Sequence, residues 1–200
     1  MFKRVIYYFL GLFILALGVV INTRTMLGTA ALNTIPYVVS LNTPLSMGTV
    51  IIFLYTLFVI IECIILRKLD IKIILQLLVS IVFGKIVDFI NTYIITCNAS
   101  NIYIGLIMLA IAINLVAIGM TIVIKQDLAN NPPDGIVKVI SDSYNISFGK
   151  VKLGFDIVIV ILALICSLLL TGSIISIGLG TILSAMFTGY FCGFYRKLII

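Results

Sequence analysis

Four ionisable residues lie inside long apolar stretches of this 200-residue chain and are the first candidates for chemistry: Glu62, Lys85, Asp88 and Asp156. An ionisable side chain within a membrane is costly, and it usually faces a cavity, a partner or a substrate path. Asp156 lies about two helical turns into its apolar stretch. It is the acid that we expect to line a cavity or to carry a coupling proton.

Each of the other three charges also has a structural explanation. Lys85 and Asp88 are three residues apart on one predicted helix, so they can pair with each other. Glu62 lies near the end of its apolar stretch and can pair with Arg67 or Lys68. Because such pairs fix helix packing as readily as they bind a substrate, the residue types leave both roles open.

Two polar breaks in the apolar sequence carry a second set of candidates. Residues 24–40 read RTMLGTAALNTIPYVVS, and residues 125–141, 101 positions further on, read KQDLANNPPDGIVKVIS. A gapless alignment of residues 18–49 with 119–150 pairs Gly18 with Gly119, Arg24 with Lys125, Asn33 with Asp134 and Ser46 with Ser147. We expect a small substrate to be bound by residues drawn from the set Arg24, Asn33, Lys125, Asn130, Asn131, Asp134 and Asp156.

The second break has the pattern of a helix start. Asn131 is a natural N-cap, Pro132 fits the first helical position and Asp134 adds negative charge to the first turn. Residues 134–144 then form a predicted amphipathic helix, with an apolar face of Ile136, Val139, Ile140 and Tyr144 opposite Lys138, Ser141 and Asp142. The backbone N–H groups of its first turn either face an anionic ligand or are capped by the chain. The first break shows the same design more weakly.

The elements that hold these residues are membrane helices. The chain is 62% hydrophobic and 10% charged, whereas a soluble domain is about 45–50% apolar and about 25% charged. Long continuous apolar runs indicate helices rather than a barrel. We expect one all-α membrane domain with six spans, at residues 5–23, 47–66, 71–95, 103–124, 150–171 and 174–195.

The repeat covers three spans in each half, residues 1–97 and 102–200. Because three is odd, the second half is inverted in the membrane relative to the first, and each half has its break and short amphipathic helix between its first and second spans. The basic residues cluster before span 1 and after spans 2, 4 and 6. This bias predicts that both termini are in the cytoplasm.

Small and amide residues within the spans point to helix packing. Gly11 and Gly18 in the first span, and Gly180 and Gly189 in the last, allow close approach of helices. Asn114, in the middle of the fourth span, is explained equally well by an interhelical hydrogen bond and by a polar role.

Several kinds of chemistry are disfavoured by composition. The chain has no histidine, and Cys63, Cys97, Cys166 and Cys192 are scattered, which excludes catalytic sets of the Ser-His-Asp or Cys-His type. We expect no metal site, no cofactor and no enzymatic activity. The excess of basic residues follows the ends of the apolar runs, which indicates membrane topology and not nucleic-acid binding.

The chain resembles the YczE/YyaS/YitT-type bacterial integral membrane proteins, in particular the YczE-like branch. The resemblance rests on RTMLGTAALN and PLSMGT, DLANNPPDG and ISFGK, GKIVD and GTILSAMFTG. The family pattern of the second break is retained at Leu128, Ala129, Pro132, Asp134 and Gly135. In the first break, Ala31, Leu32 and Asn33 replace the Pro, Trp and Asp of the family, so the acid of that break is lost. The resemblance implies a bacterial cell membrane protein.

Inverted halves with interrupted segments at matching positions are typical of secondary transporters. We therefore expect a transporter or permease of an unknown small molecule or ion, working by alternating access. The alternative is a non-catalytic accessory or substrate-capture subunit of a larger membrane complex. The expected partners are the lipid bilayer and the substrate, with a protein partner or a second copy of the chain left open.

Overall fold

The computed structural model describes residues 2–67, 71–129, 131–173 and 177–199, apart from the side chains of Phe148 and Ile199. Secondary structure in this part of the chain is helical, without strands. The helices are α1 (Phe2–Thr23), α2 (Ala31–Asn42), α3 (Met47–Leu66), α4 (Ile71–Phe89), α5 (Ile102–Gln126), α6 (Pro132–Tyr144), α7 (Phe148–Thr171) and α8 (Leu179–Ile199), with a π-helical turn at Ile90–Ile94 after α4.

Five helices are long and apolar enough to cross a membrane: Phe2–Thr23, Met47–Leu66, Ile71–Ile94, Ile102–Gln126 and Gly149–Thr171. They coincide with the first five predicted spans, because an apolar run of this length must be a helix in a bilayer. The chain is therefore an all-α membrane protein. The sixth predicted span, residues 174–195, overlaps α8, which is not among the five helices, so a total of six spans stays a prediction.

Glycines bring α1 and α5 into close contact along their length. A Cβ on Gly119 would lie 2.5 Å from the backbone nitrogen of Leu15, and a Cβ on Gly18 would lie 2.7 Å from that of Val116. The two backbones approach so closely because neither glycine carries a side chain. The predicted packing role of Gly18 is confirmed.

The two short helices pack between the long ones. Both α2 and α6 contact α3 and α7. Helix α6 begins at Pro132, as predicted, but its buried surface is wider than the predicted apolar face, because Gly135, Val137 and Ser141 are buried as well. Tyr144, predicted to lie on the apolar face, is exposed. These differences arise because α6 is enclosed by neighbouring helices on more than one side.

The seam between α3 and α4 is closed by glycines and by one carboxylate. Asp88 accepts hydrogen bonds from the Ser46 hydroxyl at 2.6 Å and from the backbone N–H of Gly48 at 2.7 Å, and so it caps α3. A Cβ on Gly48 would collide with the backbone oxygen of Gly84. Within the described ranges Asp88 makes no ion pair with Lys85, so the predicted pairing is wrong. The oxygens of Asp88 are already engaged by the neighbouring helix.

Helix α8 is attached to α5 and to the first break. The Tyr195 hydroxyl donates a hydrogen bond to Asn114 Oδ1 at 2.7 Å, which confirms the interhelical bond proposed for Asn114. The backbone N–H of Gly180 donates to the Leu27 carbonyl at 2.7 Å. A Cβ on Gly180 would collide with the Gly28 carbonyl, so this contact requires a residue without a side chain.

Candidate functional site

A cavity of about 270 Å³ lies at the centre of the helices, and each of the eight contributes to its walls. Most of the lining is apolar, and two of its aromatic side chains, Tyr55 and Phe83, stack with ring centroids 6.0 Å apart. The polar groups on the walls include Asn33, Asn131, Asp134, Lys152, Asp156 and Ser184. A mostly apolar cavity with a few convergent polar groups is the usual form of a small-molecule site.

Four of the residues predicted to bind a substrate meet in this cavity: Asn33, Asn131, Asp134 and Asp156. They come from both breaks and from α7, so they are far apart in sequence. The cavity brings them together because α2 and α6 are packed between the long helices. The structure shows that these four side chains share one cavity, and their role in binding a substrate stays a prediction.

Two other predicted residues lie elsewhere. Arg24 donates hydrogen bonds to the side chains of Asn91, at 2.8 Å, and Asn98, at 3.3 Å, so it holds the segment after α4. Lys125 is exposed in the last turn of α5. Neither lines the cavity. Asn130 lies outside the described residues.

The first turn of α6 does not present free backbone N–H groups to an anion. Pro132 and Pro133 have none, and the N–H groups of Asp134 and Gly135 both donate to the Asn131 carbonyl at 2.9 Å. Of the two roles predicted for these N–H groups, the structure shows capping by the chain. Asn131 occupies the N-cap position, but its side chain makes no capping hydrogen bond.

The side chain of Asn131 instead leaves an acceptor unpaired beside Asp134. Its Oδ1 atom is buried and has no hydrogen-bond partner among the described residues. A buried acceptor without a donor is costly, and such an atom in a cavity wall is suited to a ligand that donates a hydrogen bond.

The electrostatics of Asp134 follow from its surroundings. Burial raises the pKa of this carboxyl above its ordinary value. The Lys152 ammonium lowers the pKa, the Asp156 carboxylate raises it and hydrogen bonding by Asn131 lowers it, and burial is the largest of these effects.

Asp156 is already neutralised by its own helix. Lys152 Nζ lies 3.0 Å from Asp156 Oδ1, one turn away along α7. The same ammonium is 5.5 Å from the centre of the Phe155 ring. Because Lys152 and Asp156 balance each other, the Asp134 carboxyl and the Asn131 oxygen are among the acceptors left for a ligand. The i, i+4 spacing of Lys152 and Asp156 was the sequence signal for this pair.

A second buried polar pair lies against the first part of α6, at Gly135. Gln76 Nε2 donates a hydrogen bond to Glu62 Oε1 at 3.2 Å, and both residues are buried. Glu62 was predicted to pair with Arg67 or Lys68. Arg67 instead ends α3 in the left-handed conformation, with φ of 51°, and Lys68 lies outside the described residues. Gln76, an amide within an apolar run, was the overlooked signal.

The fold and the cavity define the protein as an α-helical integral membrane protein. The chain belongs to the family of unknown function DUF6198, whose family model matches residues 2–197. No curated protein and no solved structure matches the chain.

Proposed function

We propose that this protein is a permease of the bacterial cell membrane that moves a small substrate by alternating access of two inverted halves. The proposal is based mainly on one observation, that lining residues of the cavity occur in pairs at matching positions of the two halves. Six pairs of lining residues are separated by the 101 positions of the sequence repeat: Leu15 and Val116, Val19 and Met120, Ala30 and Asn131, Asn33 and Asp134, Tyr55 and Asp156, Phe83 and Ser184. A site at the interface of two repeats is typical of secondary transporters.

The helix contacts agree with the same internal symmetry. Helix α2 packs on α7 as α6 packs on α3, and the contact of α2 with α3 is matched by that of α6 with α7. Helix α1 contacts α4 as α5 contacts α8. These paired contacts support the predicted halves, residues 1–97 and 102–200, with α8 as the sixth span.

The contact between α3 and α4 differs from the matching contact between α7 and α8. This difference indicates to which side of the membrane the cavity opens. The α3–α4 seam is closed by Gly48, Gly84 and Asp88. At the matching positions of the α7–α8 seam, a Cβ on Gly149 or on Gly189 would meet no atom of the described residues within 4 Å. In the predicted orientation the open seam lies on the cytoplasmic side, so this is an inward-facing state with a closed outer gate.

The cavity chemistry favours a small cation with an apolar body. Asp134 is the carboxylate without a basic partner of its own, and the neighbouring Asn131 oxygen lacks a donor within the described part of the chain. An ammonium group supplies both a positive charge and N–H donors. The remaining walls, with Tyr55 and Phe83 among them, suit the apolar portion of the ligand.

The first test of this proposal is ligand-dependent stability of the purified protein against a panel of small organic ammonium ions and matched anions. A ligand that binds the folded state alone raises the free energy of unfolding by about 2.7 kcal/mol at a hundredfold excess over its Kd. We expect stabilisation by one or more cations, and its loss in Asp134→Asn. The control is Asp142→Asn, which removes the same charge from an exposed position of the same helix.

Stabilisation by cations that persists unchanged in Asp134→Asn would contradict the proposed site, and stabilisation by anions alone would contradict the proposed substrate class. Uptake by liposomes containing only this protein then separates the two functions predicted from the sequence. Binding together with uptake supports the permease. Binding without uptake supports a substrate-capture subunit that needs a protein partner.

A further inference from the structure

The buried pair formed by Glu62 on α3 and Gln76 on α4 contains more acceptors than donors. Glu62 is 3% exposed and Gln76 is 1% exposed. The Gln76 amide donates to Glu62 Oε1, while Glu62 Oε2 and Gln76 Oε1 have no hydrogen-bond partner among residues that the structure describes. Both unpaired oxygens face the same part of α6, because a Cβ on Gly135 would lie 2.8 Å from the first and 2.9 Å from the second.

An ionised carboxylate does not satisfy this arrangement. A carboxylate has acceptors alone, whereas an amide has one donor edge and one acceptor edge. When the Gln76 NH₂ group donates to one carboxylate oxygen, the Gln76 oxygen and the other carboxylate oxygen, which face the same point at Gly135, are both left without a donor. Exchanging the amide oxygen and nitrogen only moves the conflict, since one acceptor still lies beside another.

A neutral carboxylic acid removes the conflict. Its O–H group donates to Gln76 Oε1, while Gln76 Nε2 continues to donate to Glu62 Oε1. The two side chains then form a cyclic acid–amide pair with two hydrogen bonds, and both oxygens that lack partners become paired. One proton on Glu62 Oε2 is enough for this result.

The surrounding charges do not supply a buried counter-ion in place of that proton. The helices packed on α3 are α2, which has no charged residue, α4, α6 and, through the contact of Phe58 with Phe155, α7. Their charged groups are Lys72, Lys85 and Asp88 on α4, Asp134, Lys138 and Asp142 on α6, and Lys150, Lys152 and Asp156 on α7, where Lys152 and Asp156 pair with each other. Lys138 attracts the Glu62 carboxyl, but it is exposed and forms no ion pair with Glu62 within the described ranges. A buried charge without a partner is strongly disfavoured.

We propose that Glu62 and Gln76 form a proton-binding site, and that Glu62 carries a proton in this conformation. On release, the O–H bond of Glu62 breaks, the proton passes to water and the carboxylate keeps the negative charge. The pair touches α6 at Gly135, the residue next to Asp134, so the same helical turn connects the proton site with the cavity. This part of the inference rests on the proposed transport: release of the proton is coupled to movement of α6, and Glu62, in place of Asp156, is the coupling acid.

The direct test is infrared spectroscopy of the purified protein in lipid near neutral pH, in which the spectrum of each variant is subtracted from that of the wild type. We expect the wild type to show the C=O band of a protonated carboxyl group that is absent from Glu62→Gln and retained in Asp142→Asn. The Gln side chain has the shape of the neutral acid and can still pair with Gln76, so this variant should fold. If wild type and Glu62→Gln have the same protonated-carboxyl bands, Glu62 is ionised and the proposal is wrong.

The geometry of the pair is tested by a second variant. In Gln76→Leu the acid loses its hydrogen-bond partner, so its C=O band should move to higher frequency. A band that keeps its frequency in Gln76→Leu would contradict the cyclic pair.

Coupling is measured separately, in liposomes with an imposed pH gradient. We expect Glu62→Gln to exchange substrate across the membrane but to lose accumulation driven by the gradient. Accumulation equal to that of the wild type would overturn the coupling role. If no substrate is transported by any form of the protein, the proposed function fails, while the infrared result still decides whether the proton site exists.

Discussion

Burial shifts the carboxyl of Asp134 toward its protonated form relative to the unfolded chain, and a bound cation would shift it back toward the carboxylate. Because burial raises its pKa above the ordinary value of 3.8, the folded protein keeps this proton at a higher pH than the unfolded chain does. In that interval the folded state binds more protons, so the free energy of unfolding falls as the pH rises from the unfolded pKa through the folded pKa. The contribution is fully present below the unfolded pKa and is lost above the folded one.

Replacing Asp134 with Asn should remove this part of the pH dependence. The amide has no charge to desolvate, so the variant should unfold with a flatter pH profile and lose less stability toward neutral pH than the wild type. Thermal unfolding in detergent between about pH 4 and pH 8 measures the difference. Asp142→Asn, at an exposed position of α6, should keep the wild-type slope. A slope unchanged by Asp134→Asn would show that burial does not perturb this carboxyl.

The residue types predicted which polar side chains are structurally important, but they did not predict the hydrogen-bond partners of those side chains. Asp88 and Glu62 were recognised as charged groups in apolar stretches, and Arg24 as a basic residue of the first polar break. Their partners come from other elements: Ser46 for Asp88, Gln76 for Glu62 and, for Arg24, two asparagines of the segment that follows α4. Such pairs depend on which helices become neighbours, and hydrophobic periodicity does not contain that information.

The close approach of two helices can be tested at a glycine that determines the distance between their backbones. A Cβ on Gly119 would lie 2.5 Å from the Leu15 backbone nitrogen, so Gly119→Ala must push α1 and α5 apart. We expect a loss of about 1–3 kcal/mol of stability, the usual range for overpacking. The matched control is Gly154→Ala on α7, where a Cβ meets no described atom within 4 Å.

Denaturant or thermal unfolding of the two variants in the same detergent compares these effects. Gly154→Ala should be neutral, or more stable by up to about 1 kcal/mol, because alanine favours a helix over glycine. Equal stability of Gly119→Ala and the wild type would mean that the α1–α5 crossing is looser than the contact requires.

The elements themselves were largely predictable, and their differences have physical causes. The span predicted at 47–66 has the bounds of α3, because a polar cap before it and basic residues after it delimit a long apolar run. Helix α8 begins at Leu179, whereas the predicted run began at 174. The backbone contact of Gly180 with Leu27 fixes the first turn of α8, and that contact is invisible in the local sequence.

At the scale of the whole molecule, the cavity was predictable only through the repeat. The alignment of residues 18–49 with 119–150 placed Asn33 and Asp134 at matching positions. In secondary transporters built from inverted repeats such positions meet at the repeat interface, and this is the arrangement that we propose here. The matching of Tyr55 with Asp156 and of Phe83 with Ser184 lies beyond that alignment. Tyr55 and Phe83 gave no signal, since an aromatic residue in an apolar run is ordinary packing.

The measurement that tests alternating access most directly is disulfide trapping of the α7–α8 seam. The variant carries Gly149→Cys and Ala185→Cys, the positions that match the touching pair Gly48 and Gly84, in a chain whose four native cysteines are replaced by serine. A disulfide needs Cβ atoms about 3.5–4.5 Å apart. In this structure a Cβ on Gly149 has no described neighbour within 4 Å, and α7 and α8 are not among the helix pairs that pack extensively on each other. The seam must therefore close before the bond can form.

If the halves exchange conformations, oxidation during transport should produce the 149–185 disulfide and stop uptake, and reduction should restore it. The same chain with Gly149→Cys alone should keep its uptake under oxidation. A protein that transports its substrate without ever forming the disulfide, or that continues uptake after the disulfide has formed, would contradict alternating access through this seam.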